Sequence, residues 1–317
     1  MTVTYDYAGR TVLVTGGTKG IGAGIAAAFA AAGAQVVVCA RTPPPGSPVS
    51  GSRASGSPPP GSPPPGTPPP GSPASGSGAS GSPLSGSPPP ESLPSGSPAP
   101  GSARAGSAPG GSESPGLAPG IRFVQADVRD PEDVERLVRG LDRLDVLVNN
   151  AGGSPYAPLA DTSPRLHARV VELNLVAPLL VARQAYPLLR EAGGAIVMIG
   201  SASGTRPSPG TAAYGAAKAG LHHLARCLAA EWAPEVRVNT VVVGLAATEN
   251  AASHYGPDQA AVAAAIPAGR MATPADVAAA CLWLAAPGYV TGAEVHVHGG
   301  GEVPAWSRLA GHPAQDP

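Results

Sequence analysis

TVLVTGGTKGIGAGIAAAFAAAGAQVVVC, residues 11–39, decides the fold. Residues 11–15 are an apolar run short enough to be a buried strand, 21–32 form an Ala-rich helix, and 35–39 form a second apolar strand. Between the first strand and the helix stand Gly16, Gly20 and Gly22, with Thr18, Lys19 and Ile21 among them. A strand, glycine turn and helix in this order let backbone N–H groups approach a phosphate at a helix N-terminus, where the helix dipole adds partial positive charge. A glycine-rich turn alone is weak evidence, because any tight turn can use one.

The alternation breaks once and resumes. From 42 to 119 the chain runs in PPPGS-like pentads with no aromatic residue and almost no large apolar one, and it raises the totals to 43 Gly and 40 Pro in 317 residues. Such a segment buries too little apolar surface to offset its ordering entropy, and it reads as a disordered insert with polyproline-II character. An expanded simple repeat in a surface loop explains it, since loop closure entropy grows slowly with length. A docking site for an aromatic-grooved partner is the sharper alternative.

Strands follow at 122–126, 146–149, 195–200, 237–243 and 294–298, and helices at 131–141, 164–190, 211–232 and 274–285. Strands apolar on both faces that alternate with helices imply a mostly parallel α/β sheet covered on both sides. The reading is one domain, residues 1–41 and 120–317, interrupted by the insert at 42–119.

The bulk properties exclude several classes. A net charge of −1 without blocks of like charge gives no footprint for nucleic acid or an anionic membrane, so a small molecule is the expected partner. No stretch is apolar for the length of a membrane span, and the N-terminus has no signal-peptide pattern, so a cytoplasmic protein is expected. The three cysteines, Cys39, Cys227 and Cys281, are far apart in apolar runs and read as buried reduced thiols; no metal framework is expected.

Four further residues carry chemistry. Tyr214 and Lys218 are four apart on an expected helix and therefore share a face. A nearby ammonium favours phenolate, so Lys218 is expected to lower the Tyr214 pKa toward the working range of a general acid/base. Ser201 ends the strand AIVMIG, where its hydroxyl can meet a substrate carbonyl, and Asn174 sits within a helix, an unfavourable place for asparagine without a specific role. Taken singly, each has an ordinary structural explanation.

The TGxxxGxG turn, Asp127-Val128 after the third strand, Asn149-Asn150-Ala151-Gly152 after the fourth, and Asn174, Ser201, Tyr214 and Lys218 in that order resemble the short-chain dehydrogenase/reductase family. The resemblance covers essentially the whole chain outside the insert, and its nearest flavour is that of 3-oxoacyl carrier-protein reductases. It implies a Rossmann-type doubly wound parallel sheet and hydride transfer between a nicotinamide cofactor and a carbonyl or alcohol. It implies that Tyr214 exchanges a proton with the substrate oxygen, Ser201 polarises that oxygen, Lys218 holds the nicotinamide ribose, and Asn174 fixes a water. Gly16, Thr18, Lys19, Gly20, Ile21, Gly22, Asp127, Val128, Asn150, Ala151, Gly152, Gly244 and Thr248 would contact the cofactor along with Tyr214 and Lys218. A homotetramer or homodimer through the helices carrying Asn174 and Lys218 is also implied.

The second strand ends Cys39-Ala40-Arg41, without the acidic residue that accepts both ribose hydroxyls of NAD. Arg41 can make a planar multidentate contact with a 2′-phosphate and Lys19 can add a second charge, so NADP(H) is expected over NAD(H). The chain departs from the family pattern in Val243-Gly244 where Pro-Gly is usual, in His298 where aspartate is common, and in lacking a helix after the second strand. The stretch 250–268 corresponds to a substrate lid and reads as alanine-lined; Ser154, Pro155, Tyr156 and residues 205–210 are expected opposite it. A cofactor-binding sensor or scaffold without turnover is the alternative, though such a protein would be expected to lack part of the tetrad. A third possibility makes the insert the functional part and the fold its carrier.

Overall fold

The computed structural model describes residues 4–44 and 117–302. Apart from 42–44 and 117–119, the expected insert lies outside the described residues. Among the described residues the strands are β1 (Thr11–Thr15), β2 (Gln35–Ala40), β3 (Ile121–Gln125), β4 (Val146–Asn149), β5 (Ala195–Ser201), β6 (Arg237–Val243) and β7 (Glu294–Val297). All pair in parallel, in the order β3-β2-β1-β4-β5-β6-β7, with Thr15 beside Cys39, Val14 beside Val148 and Ser201 beside Val243. The order reverses between β1 and β4, and in open α/β sheets that reversal opens a crevice at the carboxyl ends of the strands.

Helices cover both faces, as the doubly apolar strands require. On one face lie α1 (Gly20–Ala31) and α8 (Pro274–Ala285), joined to the sheet through Ile25, Phe29, Val277, Cys281 and Leu284. The other face holds α2 (Pro131–Arg139), α4 (Ala177–Ala192) and α5 (Ala212–Trp232), packed through Leu137, Val181, Leu189, Leu221, Leu228 and Trp232. Each fully buried side chain of this size contributes roughly 1.5–3 kcal/mol, so the two cores fix the sheet and leave its carboxyl edge to the loops. Sequence chemistry sets the helix starts: Asp130 and Thr273 cap α2 and α8 ahead of a proline, and Thr273 and Asp276 form a reciprocal capping box. Among the described residues no helix is long and apolar enough to cross a membrane.

Three expectations need correction. The helix expected over 164–190 is α3 (Pro164–Val171), a π-turn (Glu172–Val176) and α4. Asn174 Nδ2 donates to the Val170 carbonyl at 2.9 Å, the acceptor its own backbone N–H would use in an α-helix. Pro178, four residues on, has no N–H to offer the Asn174 carbonyl. Cys39 and Cys281 are buried, but Cys227 is exposed, because α5 buries the stripe Lys218, Leu221, His222, Ala225, Leu228, Ala229 and Trp232 and turns Cys227 outward. The lid contains two short helices, α6 (Ala251–Tyr255) and α7 (Gln259–Ala264), and it offers the cleft Asn250, His254 and Tyr255 rather than alanines.

Candidate active site

A cleft of about 700 Å³ opens at the β1/β4 reversal, within the usual size range of cofactor sites. The glycine turn lines it after β1, in mid-sheet. Gly16 has φ +65, and a Cβ on Gly22 would stand 2.3 Å from the Gly16 carbonyl oxygen, so no side chain fits there. Asn150 locks the turn from across the sheet: its Nδ2 donates to the carbonyls of Thr15 (2.9 Å) and Gly16 (3.1 Å), while Thr15 Oγ1 accepts from the N–H groups of Asn150 and Ala151, both at 3.0 Å. The turn is thus a preformed cradle at the start of α1, with Thr18, Lys19, Gly20 and Ile21 on the cleft wall. Such a cradle, too close-packed at Gly22 to admit a Cβ, fits the pyrophosphate of a dinucleotide.

Arg41 lines the cleft beyond β2, exposed, its carbonyl accepting from Gln125 Nε2 at 2.9 Å. Asp127 and Val128 line it after β3. Arg129, which the motif reading passed over, grips the Asp127 carboxylate through Nε at 3.0 Å and Nη2 at 2.5 Å and holds it below the usual carboxylate range. Ala151, Gly152, Gly244 and Thr248 complete this wall.

Past β4 the same cleft is lined by Ser201, Tyr214 and Lys218. Ser201 closes β5, where its Oγ accepts from Ser203 N–H at 3.2 Å, and it hydrogen-bonds Tyr214. Tyr214 is half-buried with its hydroxyl enclosed; burial pushes the phenol up and the Ser201 hydroxyl partly opposes this. Lys218 is buried, its ammonium lies 5.7 Å from the centre of the Tyr214 ring, and it donates to the Ile199 carbonyl at 2.8 Å. Burial brings Lys218 itself down to about 8. The expected lowering of Tyr214 is therefore not met by these protein groups: desolvation dominates both side chains, and the lysine is engaged by a strand carbonyl.

Asn174 stands behind the cleft wall, fully buried. Its Oδ1 accepts from Gly153 N–H and its Nδ2 donates to the carbonyls of Gly153 and Val170, each at 2.9 Å. Both side-chain hydrogens are used, so its amide has no donor left for the water implied by the resemblance. Gly152 makes this possible: a Cβ there would stand 2.7 Å from Asn174 Oδ1 and 3.3 Å from Lys218 Nζ.

Around the mouth are Ser154, Tyr156, Ser203, Arg206, Ser208 and Thr211, opposite the lid residues. Pro155, Thr205, Pro207 and Gly210 are not on the cleft wall. Arg206 pairs with Glu302 from the chain after β7. Neither that pair nor Arg129 belongs to a short spacing motif, which is why the sequence did not single them out.

Residues 114–302 match the family model described as enoyl-(acyl carrier protein) reductase, and 10–51 match that described as short chain dehydrogenase. Residues 52–113 fall outside both. L-fucose dehydrogenase of Bos taurus is 31% identical over 98% of this chain and 96% of its own length. Protein FixR of Bradyrhizobium diazoefficiens is 43% identical over 50% of this chain, a match that spans only 59% of FixR. A solved short chain dehydrogenase/reductase family protein superimposes with a TM-score of 0.66 at 29% identity, covering 93% of this chain and 98% of that one. The chain belongs to the short-chain dehydrogenase/reductase family.

Proposed function

We propose that this protein is an NADP(H)-dependent oxidoreductase that interconverts a ketone and a secondary alcohol, with Tyr214 as general acid/base. The observation that carries the reading is the convergence of Ser201, Tyr214 and Lys218 in one cleft that the glycine cradle also lines. When bound, a nicotinamide dinucleotide supplies or accepts the hydride. Tyr214 gives its hydroxyl proton to the substrate oxygen in reduction and takes it back in oxidation, and Ser201 orients and polarises the same oxygen. Lys218 would hold the nicotinamide ribose, and its charge would then favour the phenolate. Asn174 acts through the Gly153 backbone that it clamps.

NADP(H) is favoured over NAD(H) by Arg41 at the end of β2, by Lys19 in the turn, and by the lack of a carboxylate on β2. The hydroxyl, imidazole and guanidinium groups at the mouth favour a substrate with polar groups beyond its carbonyl over a purely aliphatic one. A homodimer or homotetramer through α4 and α5 goes with this reading; Leu179 on α4 is a large apolar side chain left exposed, and light scattering gives the mass.

The test is consumption of NADPH or NADH against a panel of ketones, 3-oxoacyl thioesters and sugar lactones or ketoses. Turnover with NADPH supports the reading. Tight NADPH binding without turnover across the panel overturns it in favour of a sensor or scaffold of the same fold.

A further inference from the structure

Tyr214, Lys218 and His222 follow one another at four-residue intervals along the inner face of α5. The first two belong to the reading above; the third is a buried histidine (3% exposed) beneath the serine. Its Nε2 accepts a hydrogen bond from the backbone N–H of Ser201 at 3.3 Å. Two glycines beside Ser201 shape the socket for its ring. A Cβ on Gly200 would stand 2.3 Å from His222 Nε2, and one on Gly204 would stand 2.9 Å from Cε1. Helix α5 therefore grips the end of β5 twice, by Lys218 Nζ on the Ile199 carbonyl and by His222 Nε2 on the Ser201 N–H.

An imidazole nitrogen that accepts is unprotonated, so the network assigns the His222 proton to Nδ1. Nδ1 lies 3.6 Å from Glu294 Oε2 on β7, and Glu294 is itself paired with Arg226 of α5. A partly exposed carboxylate, a buried imidazole and the serine backbone thus form one line from the sheet edge into the cleft.

We propose that His222 is a positioning residue for Ser201, holding the serine backbone through Nε2 and releasing it when protonated, so that the Glu294–His222 pair couples solution pH to the placement of the serine hydroxyl. In imidazolium both nitrogens are donors, and a donor facing the Ser201 N–H replaces a hydrogen bond with a repulsion. Burial holds the imidazole below the ordinary histidine range, with Lys218 and Arg226 of α5 and His296 of β7 acting in the same sense. Glu294 opposes them. The release accordingly belongs to acid pH, and removing the Glu294 carboxylate moves it further down.

The functional consequence rests on the assignment of Ser201 as a substrate-orienting residue, but the coupling itself can be read without substrate. The experiment follows the Ser201 amide resonance of the full-length protein by 1H–15N NMR as pH is lowered. A single protonation step is expected in the parent protein, no step in His222→Gln, whose amide oxygen accepts but does not titrate, and a step at lower pH in Glu294→Gln. With a substrate in hand, the same step forms the acid limb of kcat. His222→Leu, which has no acceptor, lowers kcat about tenfold for the loss of one buried hydrogen bond. His222→Gln recovers part of that loss and has no such limb. A Ser201 resonance that does not titrate, or that titrates alike in the parent and both variants, overturns the proposal. Should His222→Gln fail to fold, the Glu294→Gln shift still decides it. A Tyr214→Phe protein that remains active while the Ser201 step is present would count against the reading of Tyr214 and leave the coupling standing.

Discussion

The Asn174 side chain pairs with both backbone groups of Gly153, accepting from its N–H and donating to its carbonyl, each at 2.9 Å. One buried amide thus performs the pairing of a missing strand neighbour, and it fixes the loop after β4 against the helix carrying it. Asn174→Leu removes three hydrogen bonds and leaves their partners unpaired. We expect a loss of about 2–4 kcal/mol in stability, read by urea denaturation, together with a lower kcat.

Arg41 projects into the cleft from the end of β2, where NAD-selective relatives of this fold place a carboxylate. A charge-assisted contact to a 2′-phosphate is worth about 1.5–3 kcal/mol, so Arg41→Ala is expected to raise the Kd for NADPH by roughly 10- to 100-fold. The Kd for NADH should change little. Fluorescence titration of both cofactors checks this, and an equal loss for the two would remove the case for NADP(H) selectivity.

Burial lowers Lys218 from 10.5 to about 8. Between these values the unfolded chain binds a proton that the folded one does not, so this group makes stability rise with pH across that window; below about 8 both states are protonated and the folded state bears the full penalty. The buried thiols Cys39 and Cys281 are pushed up from 9.0 and act in the opposite sense once the unfolded thiols ionise. The lysine contribution is therefore cleanest between about pH 8 and 9. The denaturation midpoint of the parent protein is expected to gain on that of Lys218→Met as pH rises through this interval.

The sheet was legible because its central strands are apolar on both faces and the glycine turn sits where β1 meets α1; β1, β4 and β6 have the expected bounds, while the edge strands β3 and β7 carry polar residues and are only partly buried. The cleft-lining residues of the turn were legible for the same reason, since sequence-local spacing is what a turn requires. The π-turn at Asn174 was not, because its cause is a side-chain hydrogen bond to Val170 that leaves the hydrophobic period of the helix undisturbed. Nor were Arg129 on Asp127, Arg206 on Glu302 or His222 under Ser201. These contacts join residues by side-chain reach or across distant elements, and no short motif records them. Cys227 misled for a related reason: an apolar neighbourhood in sequence says little about which side of an amphipathic helix a residue faces.

The central claim is that Tyr214 moves the proton. Tyr214→Phe removes one oxygen and leaves the ring, and the measurement is single-turnover reduction of a ketone substrate by NADPH alongside NADPH affinity. The account predicts a fall in rate of at least about 100-fold, the usual contribution of a positioned general acid, with NADPH affinity unchanged within about threefold. A variant that reduces the ketone at close to the parent rate would contradict it.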